Sequence, residues 1–190
     1  MTSTATTLPV EPDAPKGRRH LRGSVEWVLI IVGALLAAFV IKTFLFQAFY
    51  IPSLSMAPTL KVNDRVLVNK LSYDLHDVNR GDLVVFESPP NEGSQTKDLI
   101  KRVIGLPGET VESRDGQIFI NGQALEEPYL GPDVTTGPLE KVTVPPEHLW
   151  VMGDNRPNSR DSRFFGAIPE SLVIGRAFIR VWPVTAIGLL

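Results

Sequence analysis

The chain contains no cysteine. That excludes disulfides, a thiol nucleophile and any thiolate-ligated metal, and it leaves the compartment open. Histidine is scarce. His20, His76 and His148 share no pattern, so a Ser-His-Asp arrangement has no support in the sequence. HExxH, Walker and GxGxxG patterns are missing. The acidic run from Asp154 to Asp161 lacks the glycine of a calcium loop and carries Arg156 where a ligand would be needed, so no metal is expected. Excess positive charge is missing too. A formal net charge of −2 argues against nucleic acid as the main partner. There are no internal repeats and no long helical pattern beyond one apolar run near the N-terminus.

That run organises the front of the chain. Residues 1–23 are rich in Thr, Pro and charge without hydrophobic period, and read as a disordered cytoplasmic tail. Residues 24–46 follow as a transmembrane anchor. Val28 to Ile41 carries no charge, and Trp27 to Phe46 supplies the roughly 20 residues needed to span a bilayer if Lys42 snorkels. Trp27 at one end and Phe49 and Tyr50 at the other have the character of interfacial aromatic anchors. A buried core helix and a cleaved signal peptide are the alternatives. Large aromatic residues stand where a cleavage site would need small ones, against the second. Lys16, Arg18, Arg19 and Arg22 precede the run, whereas Thr43 onward holds 14 basic and 18 acidic residues, a net of −4. The positive-inside bias therefore predicts a cytoplasmic N-terminus, with everything after Tyr50 on the outer face of the cell membrane.

Residues 47–190 read as a mainly β domain. Arg65–Lys70, Asp82–Glu87, Leu99–Ile104, Gln117–Ile120, Val142–Val144, Leu149–Met152 and Ile174–Val181 are short, β-branched and bounded by turn residues. Asn121-Gly122 is a strong hairpin signal. Pro169–Leu172 has room for one helical turn. Ser88–Lys97 and Pro128–Pro138 read as exposed loops. Many short strands with Gly/Pro punctuation predict an antiparallel sheet domain behind the single N-terminal helix.

Three clusters could carry chemistry. In Ile51–Leu60, Pro52 and Pro58 disfavour a helix on either side of Ser53 and Ser55, whose i, i+2 spacing puts both hydroxyls on one face of extended chain. Such a segment is more often a plain loop, but it can also present a nucleophile. Lys101 sits between apolar residues on an expected strand, sharing a face with Leu99 and Val103 while Arg102 points the other way. If it snorkels from an edge it is ordinary. If it is buried, its pKa falls from about 10.4 and the neutral amine can take a proton from Ser55. Gly153–Arg163 is dense in turn formers and alternating charge; it is a structural loop, a loop that positions the base, or both.

Together, Ile51–Leu60, Asn63–Val68, Arg80–Phe86 with Ile100–Glu109, and Gly153–Arg163, in this order behind an apolar segment, resemble the type I signal peptidases, membrane-bound serine proteases that use a Ser/Lys pair. The resemblance implies Ser55 as nucleophile, Lys101 as general base and Ser53 as an oxyanion-hole donor beside the Ser55 N–H. It implies that Ser159 hydrogen-bonds and orients the lysine, with Asp161 and Arg163 as a structural ion pair. Phe49, Ile51, Met56, Leu60, Val85 and Ile100 fall where the family builds shallow apolar pockets for small residues at −1 and −3 of a preprotein signal peptide. The partners implied are preprotein signal peptides and the lipid bilayer, with no organic cofactor or metal. Leu54 stands where a smaller residue is frequent, and Asn63 replaces a common glycine. A pilin-processing peptidase, a self-cleaving repressor and an anchored non-enzymatic module are the competing readings, and the apolar segment disfavours the repressor.

Overall fold

The computed structural model describes residues 17–40, 45–93 and 96–190. It forms two units, residues 1–40 and 41–190. The first contains α1 (Gly17–Val40). Its second half is built from strong helix formers such as Ala34, Leu35, Leu36, Ala37 and Ala38. Trp27, Leu29, Leu35 and Phe39 are exposed. Among the described residues no helix is long and apolar enough to cross a membrane. The uncharged part of α1, from Trp27 to Val40, rises about 21 Å.

This changes two expectations at the front of the chain. The helix starts at Gly17, inside the stretch read as tail, whose residues 1–16 lie outside the described residues. The expected anchor over 24–46 does not run to its far end. Residues 41–44 lie outside the described residues, and Phe46 already belongs to β1 (Phe46–Tyr50), paired opposite Asn69.

The second unit is antiparallel β throughout. After β1 come β2 (Arg65–Asn69), the single turn α2 (Ser72–Leu75), β3 (Leu83–Glu87) and β4 (Asp98–Gly105). Then follow β5 (Thr110–Arg114), β6 (Gln117–Ile120), β7 (Gln123–Ala124), β8 (Leu139–Thr143) and β9 (His148–Met152). The chain closes with α3 (Ser162–Phe165), β10 (Ile168–Pro169), β11 (Val173–Trp182) and β12 (Gly188–Leu189). An eight-stranded sheet runs β1-β2-β11-β3-β4-β9-β10 with β12 beside β11, and a four-stranded sheet runs β7-β6-β5-β8. The hairpin between β6 and β7 turns on Asn121 and Gly122, whose φ values of 51° and 81° are the two left-handed positions such a turn needs. Glu170–Leu172 makes one 3₁₀ turn, as its sequence suggested.

Three apolar clusters fill the spaces. Ile51, Met56, Leu60, Val66, Val68, Leu83 and Val85 form the first, and Val84, Phe86, Val103, Val151 and Phe165 anchor the second. Ile104, Val111, Ile118, Trp150 and Met152 form the third. Successive residues of β4 feed different clusters: Leu99 and Val103 pack with the second, Ile100 with the first and Ile104 with the third. This strand therefore passes through the middle of the domain. The 88–97 loop is less exposed than its composition suggested, since Glu92 is turned inward.

Candidate active site

The chain leaves β1 at Ile51 and makes a tight, non-repeating turn before β2. Ile51 and Asn63 close its base: Ile51 N–H donates to the Asp64 carbonyl (2.9 Å) and Asn63 N–H to the Ile51 carbonyl (3.0 Å). Asn63 adopts φ 74°, a left-handed position that asparagine tolerates better than most residues. Inside the turn, Ala57 N–H reaches the Leu54 carbonyl and Leu60 N–H the Met56 carbonyl. Met56 and Leu60 are fully buried and hold the turn to the first apolar cluster, which leaves Ser53 and Leu54 at the surface and Ser55 half-buried. The hydroxyls of Ser53 and Ser55 stand 3.2 Å apart.

Lys101 approaches from β4, opposite Val84 and on the Leu99/Val103 side of the strand. It is 3% exposed, and its Nζ donates to Ser55 Oγ at 2.8 Å. Burial lowers its pKa from 10.5 to about 8, against the opposing pull of the Asp161, Glu92 and Asp154 carboxylates. At neutral pH roughly a tenth of such an amine is uncharged and free to accept a proton. His76 and His148 make their contacts elsewhere. His76 Nδ1 contacts its neighbour's carbonyl at Asp77, and His148 Nδ1 that of Pro146.

Ser53, Ser55 and Lys101 open onto a cleft of about 270 Å³. Of the six residues expected to shape apolar pockets, Phe49, Ile51, Val85 and Ile100 line it. Met56 and Leu60 do not: both are core, with no exposed surface. Glu92, Asp98 and Arg160 add a charged margin to the same cleft.

Residues 153–163 brace the turn from behind. Asn155 N–H donates to the Ser55 carbonyl (3.0 Å) and Asn155 Nδ2 to the Leu54 carbonyl (3.0 Å). Gly153 passes so close that a Cβ there would lie 2.4 Å from the Ser55 carbonyl oxygen and 2.2 Å from Ser159 Oγ. Asp161 and Arg163 pair at 2.8 Å, and Asp161 also accepts from Gly153 N–H. The expected hydrogen bond from Ser159 to the lysine is not made. Ser159 is buried beside Gly153, its Oγ has no hydrogen-bond partner among the described residues, and the ammonium points to Ser55 instead.

Several supporting residues escaped the sequence. Arg102 is buried and clasps Asp154 through Nε (2.9 Å) and Nη2 (2.7 Å), while Thr59 Oγ1 donates to the same carboxylate. The Arg102 guanidinium also lies 3.8 Å over the Tyr129 ring. Arg156 is fully buried and pairs with Glu127 and Thr136. These partners are 20 to 95 positions apart in the chain, so no local pattern connects them. The only local signal was an arginine beside Lys101 in an otherwise apolar strand.

The family model described as "Signal peptidase, peptidase S26" matches residues 24–182. The chain belongs to that family. It is 46% identical to signal peptidase I of Leptolyngbya laminosa, over 97% of this chain and 92% of that one. It is 37% identical to signal peptidase I of Bacillus caldolyticus, over 75% and 83% of the two chains. Among solved structures it is similar to a signal peptidase I from Enterococcus faecalis V583, at 35% identity over 53% of this chain and 97% of that one, with a TM-score of 0.45. The match to the peptidase S26 model takes in the turn with Ser53 and Ser55, all of β4 and the 153–163 loop.

Proposed function

We propose that this chain is a membrane-bound serine endopeptidase that removes N-terminal signal peptides from exported preproteins, cleaving after small residues at −1 and −3. The observation that carries the proposal is the buried Lys101 amine at 2.8 Å from Ser55 Oγ. In its neutral form this amine accepts the Ser55 proton as Oγ attacks the scissile carbonyl. The resulting ammonium then gives that proton to the leaving amine, which frees the mature protein and leaves the signal peptide as an ester on Ser55. A water, deprotonated by the same amine, attacks the ester, and Ser55 recovers its proton as the signal peptide leaves. The Ser53 hydroxyl and the Ser55 N–H are suited to stabilise the oxyanion. Donors placed there in advance lower such barriers by a few kcal/mol.

Phe49, Ile51, Val85 and Ile100 give the cleft its apolar wall, and a narrow apolar slot discriminates by excluding bulk. An extended substrate would lie along it as an added strand. Asp161 and Arg163 hold the loop behind Ser55. The exposed apolar side chains of α1 and the basic residues before them in the sequence support a bilayer anchor with the N-terminus cytoplasmic and the catalytic domain on the outer face. No metal or organic cofactor enters this chemistry.

The test is cleavage of a labelled Ala-x-Ala precursor in detergent, across pH, by the wild type, Ser55→Ala and Lys101→Ala. Both variants should fold and be inactive, and the wild-type rate should climb about tenfold per pH unit before levelling near pH 8. Activity in Ser55→Ala would overturn the enzyme reading, and full activity in Lys101→Ala would overturn the base.

A further inference from the structure

Three carboxylates act on Lys101: Asp161, Glu92 and Asp154. Two of them belong to the brace behind Ser55. Asp161 accepts from both Nε and Nη2 of Arg163, and Asp154 from Nε and Nη2 of Arg102. They cannot be altered without unmaking the loop they hold. Glu92 comes from elsewhere, the connection between β3 and β4. That connection is otherwise largely exposed, yet Glu92 is 4% exposed and lines the cleft alongside Ser55 and Lys101. Ser88 Oγ lies 3.5 Å from its Oε2, and Arg160 Nε lies 3.9 Å from its Oε1.

Two bonds pin this connection to residues 160–165. Arg160 Nε donates to the Glu92 backbone carbonyl, and Asn91 Nδ2 donates to the Phe165 carbonyl at 2.9 Å. Arg160 itself is half-exposed and also lines the cleft. The charged groups around the amine are thus Asp154, Asp161 and Arg163 from the brace, Glu92 from the β3–β4 connection, and Asp98 and Arg160 on the cleft wall.

We propose that Glu92 is a positioning residue for Lys101: its buried carboxylate, carried to the cleft wall by a pinned surface loop, sets how readily the amine takes the Ser55 proton. Negative charge beside an amine favours the ammonium, so Glu92 holds the base back near neutral pH. The loop can therefore tune the base without disturbing the strand that carries it. This rests on Lys101 being the base.

The experiment follows the Lys101 Nζ titration by heteronuclear NMR in the detergent-solubilised full chain, together with the pH profile of kcat/KM. Glu92→Gln should move the amine midpoint and the rising limb of the rate to lower pH together, giving about three- to tenfold more neutral amine and rate at pH 7. Glu92→Asp, which keeps the charge, should stay close to the wild type. Asn91→Ala, at an exposed position, removes the bond to the Phe165 carbonyl that helps pin the connection; it should move both curves part of the way to lower pH and supplies the test if Glu92→Gln folds poorly. An unmoved amine midpoint in Glu92→Gln, or in Asn91→Ala where Glu92→Gln does not fold, would overturn the proposal. A midpoint that moves while the rate limb stays would remove Lys101 as base, and with it the role given to Glu92.

Discussion

The two halves of the proposed dyad are held in opposite ways. Ser55 sits half-exposed in an irregular turn with no place in either sheet, and its position is borrowed from Asn155, Gly153 and the buried pair Met56 and Leu60. Lys101 sits on β4, between β3 and β9, where the backbone ladder and side-chain packing fix it. The nucleophile needs to be reachable, so its precision comes from neighbours. The base needs to be dry, because burial is what lowers its proton affinity. Placement is the requirement on one side, and environment on the other.

The largest test of this contrast removes either half. Ser55→Ala and Lys101→Ala should each lower the cleavage rate on the order of 10⁴-fold, as for other nucleophile–base pairs, with thermal unfolding still cooperative. Next in size is the borrowed placement. In Gly153→Ala the new methyl overlaps the Ser55 carbonyl oxygen, which is backbone and cannot swing away. We expect about a 100-fold loss in kcat with the Lys101 titration left nearly in place, measured by steady-state kinetics and NMR.

The dry half is tested by stability. The folded pKa of Lys101 is depressed, so the amine's contribution to stability is fully present above about 10.5 and is lost as pH falls toward about 8. Below pH 8 the fold carries a buried ammonium at a cost of about 3 kcal/mol. Lys101→Met should therefore stabilise the domain by about that amount at pH 6–7, with the gain shrinking between pH 8 and 10.5, as read from urea melts. A gain independent of pH would show that packing, not charge, is responsible. The smallest effect is expected in Asn155→Ala. The side-chain bond to the Leu54 carbonyl is lost while the backbone bond to Ser55 remains, so stability should fall by about 1 kcal/mol and the rate by less than about fivefold.

The same contrast decides what could be read from sequence. Lys101 was legible because strand alternation is a local rule: Leu99 and Val103 on its face told which way it points. Most strands were located within a residue or two for the same reason. β5 was not, since Thr110–Arg114 is mostly polar and only Val111 is buried. β1 was partly absorbed into the apolar run, because Phe46–Tyr50 is as hydrophobic as a helix end and only its pairing with β2 makes it a strand. The turn around Ser55 was harder. Its serines could be picked out, but Met56 and Leu60 look equally suited to a pocket wall or to the core, and only the packing decides that they are core. The Arg102–Asp154 and Arg156–Glu127 pairs join distant segments, which composition cannot anticipate.

One feature of the topology bears on when Ser55 and Lys101 can be brought together. β2, which follows the Ser55 turn, and β3, which leads to Lys101, are not neighbours in the sheet: β11 lies between them and pairs with both. During synthesis Ser55 and Lys101 therefore emerge with two separate hairpins, β1-β2 and β3-β4, with no ladder between them until Val173–Trp182 has left the ribosome. Until β11 is in place, no sheet joins the strand after Ser55 to the strand before Lys101.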